Sequence, residues 1–333
     1  MERSFDLRGK GERVVKIIGT GSCLPERIVT NHDLAEIMDT SDEWISTRTG
    51  IKTRHIATEE TTTSMSVIAA KKALEDAGIQ PEELDLIIAA TVSSDNIIPM
   101  LSAQVQAEIG ADNAVAFDIN AACSGFLFDM AIADAYMKAG RSKKALLIGA
   151  ETLSKLMDWN DRSSCVLFGD GAGAVVVSDE EDCVLGMVQG AKGKDGMVLS
   201  CVNRTTSNPF AGKEPSPLSY VHMDGQAVYK FAVKTVPAAI NQALEQAGLT
   251  PDEVSYYILH QANLRIIEGV AKRLGQPIEK FPTNIQECGN ISAASVPILL
   301  DKVCKDGMIK SGDKVVLAGF GAGLTWGACV LSW

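Results

Sequence analysis

The 333-residue chain is poor in several things that would each have assigned it a class. No stretch approaches the eighteen or so consecutive apolar residues of a membrane helix, which excludes a helical span. Eight cysteines stand singly, with no CxxC pair and no histidine at ligand spacing. That pattern excludes a zinc site and a disulfide framework and points to a reducing cytoplasm. Positive charge is in deficit, at a net −11, which argues against nucleic acid or an anionic membrane as a general partner. The opening MERSFDLRGKGERVV is charged and its apolar run is too short for a signal peptide, so residues 1–13 read as a tail. Hydrophobic residues at 46% and charged residues at 22% are ordinary for a globular protein. The length fits one large α/β unit or two packed domains.

The most informative stretch is 117–140, FDINAACSGFLFDMAIADAYMKAG. An apolar run from Ala114 to Phe117 gives way to small residues, then Cys123, then a helical period through Phe126, Met130, Ala133 and Met137, with Gly140 at a C-cap position. Cys123 therefore falls at a strand-to-helix junction, where unpaired N–H groups and the helix dipole favour a thiolate. A buried, inert cysteine fits the same pattern. Two glycine-rich segments are poor matches to phosphate cradles. GTGS at 19–22 lacks a third glycine and a following helix, and GDGAGAVVV at 169–177 has no lysine or helix start, so it reads as a closely packed strand.

Residues 71–91 and 241–261 repeat without gaps at eight identical positions, including Ala73/Ala243, Gly78/Gly248 and Pro81/Pro251. After a three-residue adjustment, Lys138-Ala139-Gly140 overlays Lys305-Asp306-Gly307, a register that sets Cys123 on Asn290; strand 145–149 then matches 315–319. The chain reads as an internal duplication of alternating strands and helices, divided into residues 14–183 and 184–333. Its two junctions are expected to face each other about a pseudo-twofold axis. Residues 190–219, rich in Gly, Ser, Asn and Pro, read as a long loop over the surface or a pocket.

His260 ends the strand 255–259, the place where α/β folds put their sites. The helix after it has an apolar face of Ile267, Val270, Ala271 and Leu274, with Arg265, Lys272 and Arg273 opposite. That basic stripe is either a solvated face or a docking surface for an acidic partner. In TSDEWISTRTGI, Thr40 and Glu43 fit a capping box, which sets Trp44 and Arg48 one turn apart. They form either a packed domain edge or a stacking clamp for a planar ring.

The motifs TSDEWI..RTGI (40–51), AACSGF (121–126), LFGDGAGA (167–174), HQANLRI (260–266), GNISAASVP (289–297) and GFGAGLTWG (319–327) together resemble β-ketoacyl-acyl-carrier-protein synthase III of the thiolase superfamily, from about Val14 onward. The resemblance implies an α/β, thiolase-like fold of two βαβαβαβαββ halves in α-β-α-β-α layers. It implies an initiating condensing enzyme: a short acyl-CoA acylates Cys123, and malonyl-acyl-carrier protein then gives 3-oxoacyl-carrier protein, CoA and CO₂. Cys123, His260 and Asn290 match the catalytic triad, and backbone N–H groups of Cys123, Ala322 and Gly323 the oxyanion hole. Trp44, Arg48, Arg162 and Asn263 match CoA contacts. Gln261, Ala262, Asn263, Leu264 and Arg265 match the carrier-protein contact, extended by Lys272 and Arg273. Ile98 and Phe320 match the primer pocket, Ile98 reaching a partner subunit. No metal and no permanent cofactor are implied; a cytoplasmic homodimer is, without nucleic acid or membrane. Gly321-Ala322-Gly323 in place of three glycines and Ser124 in place of alanine are departures expected to trim the pocket. The alternatives are a related acyltransferase or condensing enzyme of specialised metabolism, a non-catalytic partner, and a degradative thiolase. The intact triad opposes the non-catalytic partner, and the lack of a second cysteine in a C-terminal glycine motif opposes the thiolase.

Overall fold

The computed structural model describes residues 5–6, 15–179, 183–212 and 219–333. In the first half, β1 (Lys16–Cys23), α1 (Thr62–Ala77), β2 (Leu86–Ala90), α2 (Leu101–Ile109), β3 (Val115–Ile119), α3 (Gly125–Lys138), β4 (Lys144–Thr152) and β5 (Asp170–Ser178) follow one another. They build a sheet of order β1-β5-β4-β2-β3. In the second, β6 (Val184–Ala191), α4 (Gly225–Ala247), β7 (Tyr256–Leu259), α5 (Leu264–Leu274), α6 (Ser295–Lys305), β8 (Lys314–Gly321) and β9 (Thr325–Ser332) build β6-β9-β8-β7. The first half thus runs βαβαβαββ, one βα unit shorter than expected. The second lacks a counterpart of β3: Ile285–Cys288, at the matching place, is a helical turn. Residues 1–4 and 7–13 of the expected tail lie outside the described residues, whereas Phe5–Asp6 forms a strand pairing antiparallel with β6.

The layers alternate as expected. Phe126, Leu127 and Met130 of α3 and Val296, Leu299 and Leu300 of α6 form a middle layer between the inner faces of both sheets, from Ile88 and Leu147 on one side to Val315 and Leu317 on the other. The outer face of the first sheet packs on α1 and α2, and that of the second on α4 and α5. Such a middle layer needs helices apolar on nearly every side, which is why the α3 segment is so rich in Phe, Leu, Met and Ala.

The strand expected over 14–18 continues to Cys23 because β5 pairs with it along its length, with one register shift between Ile17 and Gly19. Its Gly19 and Gly21 lie so close to α1 that a Cβ would stand 2.4 Å from the Ala73 oxygen and 2.3 Å from the Ala69 oxygen. The 169–177 segment is a buried strand as read, with Gly173 against Pro297 and Ile298 of α6.

The halves share register as well as order: Leu86 pairs with Ala145 and Tyr256 with Val315, each residue 170 positions from its counterpart. The helices before the inner strands both end on left-handed glycines, Gly78 (φ 66°) and Gly248 (φ 69°). The same spacing relates two strained non-glycine residues, Ala122 (φ 47°) and Ser292 (φ 44°), which open the junctions to α3 and α6. This corrects the sequence register. Cys123 corresponds to Ala293, not Asn290, because the three missing residues fall inside α6, after the junction rather than before it. The two junctions do pack against each other, with a Cβ on Gly125 lying 3.5 Å from the Ala293 Cβ.

Gly149, within β4, takes the opposite junction closest: a Cβ there would stand 2.3 Å from the Ala293 carbonyl oxygen. Gly319, its counterpart, has its nearest neighbours at 3.5 Å. Gly149→Ala is therefore expected to destabilise the fold by about 3 kcal/mol, since backbone has to move, and Gly319→Ala by far less. Urea denaturation of both variants checks this; equal losses refute it.

Candidate active site

A cavity of about 1300 Å³ opens where the two junctions meet, lined by Cys123, His260, Asn290, Phe320, Ala322 and Gly323 among others. It sits at the C-terminal ends of the parallel strands, where open α/β sheets leave a crevice.

Cys123 lies in a single 3-10 turn, Ala122–Ser124, between β3 and α3. Gly321 packs directly on it, a Cβ there falling 2.6 Å from the Cys123 nitrogen. This approach brings the β8–β9 turn, with Ala322 and Gly323 (φ 129°), beside the Cys123 amide. The Thr325 hydroxyl stands 3.0 Å from the Ala121 oxygen and 2.9 Å from the Ala322 oxygen, fastening the turn to the cysteine loop. Ser124 is fully buried and donates to Thr325 Oγ1 at 2.7 Å; it does not line the cavity, so it leaves the pocket untrimmed, contrary to expectation. The thiol differs from expectation too. Burial pushes Cys123 up to about 12, and the Glu151 carboxyl adds to that, against the Ser292 side chain and the Cys123 amide. The resting group is a thiol.

His260 continues the parallel ladder past β7, its N–H donating to the Ala318 oxygen at 2.8 Å. It is 3% exposed and edge-on to Phe320 at 5.4 Å between ring centroids. Burial pushes the imidazole down to about 3, so it is neutral. Nδ1 is buried without a hydrogen-bond partner. An unmet acceptor costs less than an unmet buried N–H, which favours the tautomer with hydrogen on Nε2.

Asn290 is pinned by its backbone to the first half: its N–H donates to the Leu167 oxygen at 2.8 Å, and its carbonyl accepts from Gly169 at 3.0 Å. The LFGDGAGA and GNISAAS motifs thus hold each other. Its Oδ1 accepts from the Ser292 N–H at 2.9 Å, which leaves the Nδ2 donors for the cavity.

At the mouth, the helix Asp42–Thr49 is capped by Ser41, not Thr40, Ser41 Oγ accepting from the Trp44 N–H at 3.1 Å. Arg48 and Arg162 both lie over the Trp44 ring, at 4.8 and 5.4 Å from its centroid. Arg162 also donates to the Asp39 carbonyl and pairs with its carboxylate at 3.1 Å. Asn263 caps α5 and donates to the Arg48 oxygen at 3.1 Å, while Arg265 donates to the Thr47 oxygen at 2.8 Å. Arg48, Ala262, Asn263 and Arg265 line the cavity; Trp44 and Arg162 stand outside it.

Gln261 does not belong to the surface. It is 1% exposed, its amide nitrogen donating to the Leu259 oxygen and its oxygen accepting from the Asn284 N–H. It props the loop after His260. Leu264 is half-buried against Gly50, whereas Lys272 and Arg273 are exposed in the last turn of α5. Ile98 is 86% exposed and lines no part of this chain's cavity, unlike its neighbour Ile97. Of the long loop expected over 190–219, residues 199–203 and Ser219 line the cavity, with residues 213–218 outside the described set. Sequence reasoning missed Glu151, Ser292 and Thr325; the repeat was the one signal for them, since they sit at or opposite the duplicated junctions.

The sequence profiles described as 3-oxoacyl-[acyl-carrier-protein] synthase III match residues 117–193, and for its C-terminal part residues 244–333. The β-ketoacyl-[acyl-carrier-protein] synthase III of Clostridium acetobutylicum is 48% identical over 96% of this chain and 98% of its own. The crystal structure of the Aquifex aeolicus 3-oxoacyl-[acyl-carrier-protein] synthase III superposes with a TM-score of 0.90 at 48% identity, covering 96% of this chain and all of that one. The priming β-ketosynthase of the R1128 polyketide pathway gives 0.88 at 38%, covering 98% of each. The chain belongs to the β-ketoacyl-[acyl-carrier-protein] synthase III family, the condensing acyltransferases that initiate fatty acid synthesis.

Proposed function

We propose that the chain runs this condensation with Cys123 as nucleophile and His260 and Asn290 as the donors for the second half-reaction. The supporting observation is their convergence on one cavity, each presented by a different strand end or junction. An acyl-CoA enters past Trp44, Arg48, Arg162 and Asn263. The Cys123 sulfur attacks the thioester carbonyl, whose oxygen takes hydrogen bonds from backbone N–H groups of Cys123 and the Ala322–Gly323 turn. CoA leaves. Malonyl-carrier protein then loses CO₂, and the enolate oxygen accepts from His260 Nε2–H and Asn290 Nδ2–H. Two neutral donors suit an enolate in a buried site, and loss of one costs about 3–4 kcal/mol in comparable sites. The enolate carbon attacks the acyl-cysteine and displaces the sulfur. Both reactants are substrates, and no permanent cofactor takes part.

Identity favours fatty acid initiation over specialised metabolism, at 48% for the synthase III relatives against 38% for the polyketide priming enzyme. The carrier protein docks on Ala262 to Arg265 and on Lys272 and Arg273. Lys272→Glu with Arg273→Glu is expected to raise the KM for malonyl-carrier protein about tenfold and leave acylation by acyl-CoA unchanged, because rim charges steer association. Equal effects on both half-reactions refute the docking surface. Residues 14–183 and 184–333 act as the two units of the duplication. The working form is a cytoplasmic homodimer without nucleic acid or membrane. Its supports are the exposed Ile97, Ile98 and Met100 and the place of β3 at the edge of its sheet; in that dimer Ile98 reaches a partner's primer pocket beside Phe320. Among the described residues no helix is long and apolar enough to cross a membrane. Intact-protein mass after mixing with acetyl-CoA, isobutyryl-CoA and acyl-carrier-protein donors tests the reading: one acyl adduct from CoA donors is expected. Adducts from the carrier-protein donor alone indicate elongation instead.

A further inference from the structure

Behind Cys123, one residue from the end of β4, lies a carboxyl that the steps above leave unused. Glu151 is 0% exposed. Its Oε2 accepts from the Val92 N–H at 3.1 Å, from Thr91 Oγ1 at 3.3 Å and from the Ser93 hydroxyl. Its Oε1 is buried with no hydrogen-bond partner of normal geometry. The Ser292 side chain and the Ala293 amide also act on this carboxyl. The Ser292 side chain also acts on the Cys123 thiol, so it neighbours both nucleophile and carboxyl. Ser292 is held there by its left-handed backbone (φ 44°) and by its N–H donating to Asn290 Oδ1.

We propose that Glu151 holds the Cys123 proton during the acyl-enzyme stage, with the Ser292 hydroxyl carrying it in both directions. The inference rests on Cys123 being the nucleophile. In acylation, the thiol proton passes to Ser292 Oγ as the Ser292 proton passes to Glu151; the sulfur bonds the acyl carbon, and CoA leaves as a thiolate that takes a proton from water at the open mouth. In condensation, the new carbon–carbon bond forms as the carbon–sulfur bond breaks, and the departing Cys123 thiolate recovers the proton from Glu151 through Ser292. Each cycle returns both groups to their starting state and draws one proton from solvent, the one that CoA keeps.

Charge decides between Glu151 and His260 as acceptor. Moving the proton from thiol to carboxylate relocates one negative charge in a buried site. Moving it to His260 creates two buried charges, one of them on an imidazolium whose Nδ1–H has no acceptor. A carboxylate at Glu151 also opposes ionisation of Cys123, and protonation of Glu151 removes that repulsion. Burial raises Glu151 to about 7, against lowering by Ser93, the Val92 amide and Ser292, so both of its states are reached at neutral pH. Among the described groups that face it, Thr91, Val92 and Ser93 follow β2 and Ser292 and Ala293 open α6, and the titratable one is Cys123.

Single-turnover acylation by acetyl-CoA, read as adduct mass against time from pH 5.5 to 9, tests this on the full chain. The parent chain is expected to slow below about pH 7. Glu151→Gln is expected to lose roughly 10²-fold at pH 7, to lose the inflection, and to recover as hydroxide rises. Ser292→Ala is expected to lose a similar factor; alanine suits that backbone, since Ala122 holds the same conformation at the mirror position. The double variant is no slower than the slower single one, and Glu151→Asp recovers part of the rate. The proposal is overturned by an unchanged rate or inflection in Glu151→Gln, or by losses that multiply in the double variant. If Glu151→Gln does not fold, the rate and inflection of Ser292→Ala decide. A parent chain that takes no acyl group sinks the nucleophile assignment instead.

Discussion

With Cys123 replaced by alanine, no acyl adduct forms from any CoA donor, and condensation falls by roughly 10⁴-fold or more, the scale on which a lost nucleophile is felt. The chain holds seven other cysteines, so the adduct is a specific test rather than a general one. Cys165, Cys288 and Cys329 are buried away from the cavity, whereas Cys201 is exposed on the covering loop and lines the mouth. A residual adduct in Cys123→Ala that disappears in Cys123→Ala/Cys201→Ala would mark adventitious thioester exchange; one that survives both overturns the assignment. Decarboxylation of malonyl-carrier protein without primer should persist in Cys123→Ala, because the donors for the enolate remain. Loss of both reactions together means the alanine has collapsed the site.

The second large effect belongs to His260. His260→Ala removes one of two enolate donors, and condensation is expected to fall by about 10²–10³-fold while the acyl adduct still forms. Failure of the adduct as well would make His260, rather than Glu151, the acceptor of the Cys123 proton. Stability carries a second signature. Burial holds the folded imidazole down at about 3 from its ordinary 6.5. The unfolded chain binds that proton as pH drops below 6.5 and the folded chain does not. The contribution is therefore present above pH 6.5 and lost as pH falls toward 3. Between pH 6.5 and 4.5 the parent chain should lose about 2 kcal/mol more than His260→Ala, read from urea midpoints. Parallel curves would mean that His260 is solvated in solution.

Much of this site was legible because its chemistry sits at element boundaries, and boundaries leave marks in sequence. Cys123 stands where an apolar run turns helical, His260 where a buried strand stops, and the repeat ties the two halves together. Burial of polar groups leaves no such mark. Gln261 follows His260 in a motif that reads as surface, yet its amide is consumed by Leu259 and Asn284 inside the loop. The thiol state was misread for the same reason: a helix N-terminus is visible in a sequence, but the desolvation that outweighs it is not. The register of Asn290 went astray because helix C-termini align easily on glycine, whereas the positive-φ residues that fix the junction, Ala122 and Ser292, are not glycines. The missing counterpart of β3 was illegible because loss of a strand preserves the flanking motifs.

The 170-residue correspondence means that the fold offers two sockets and equips one. Opposite Cys123 stands Ala293, opposite His260 stands Ala90, and Asn120 mirrors Asn290. The two alanines meet at Gly125, just as Cys123 and His260 meet at Gly319. Gly321, which lets the backbone crowd the nucleophile, is answered on the other side by Glu151. The silent socket has become the foundation of the working one: freed from holding substrate, it is closed with small side chains and houses an acid that an open pocket would have surrendered to water.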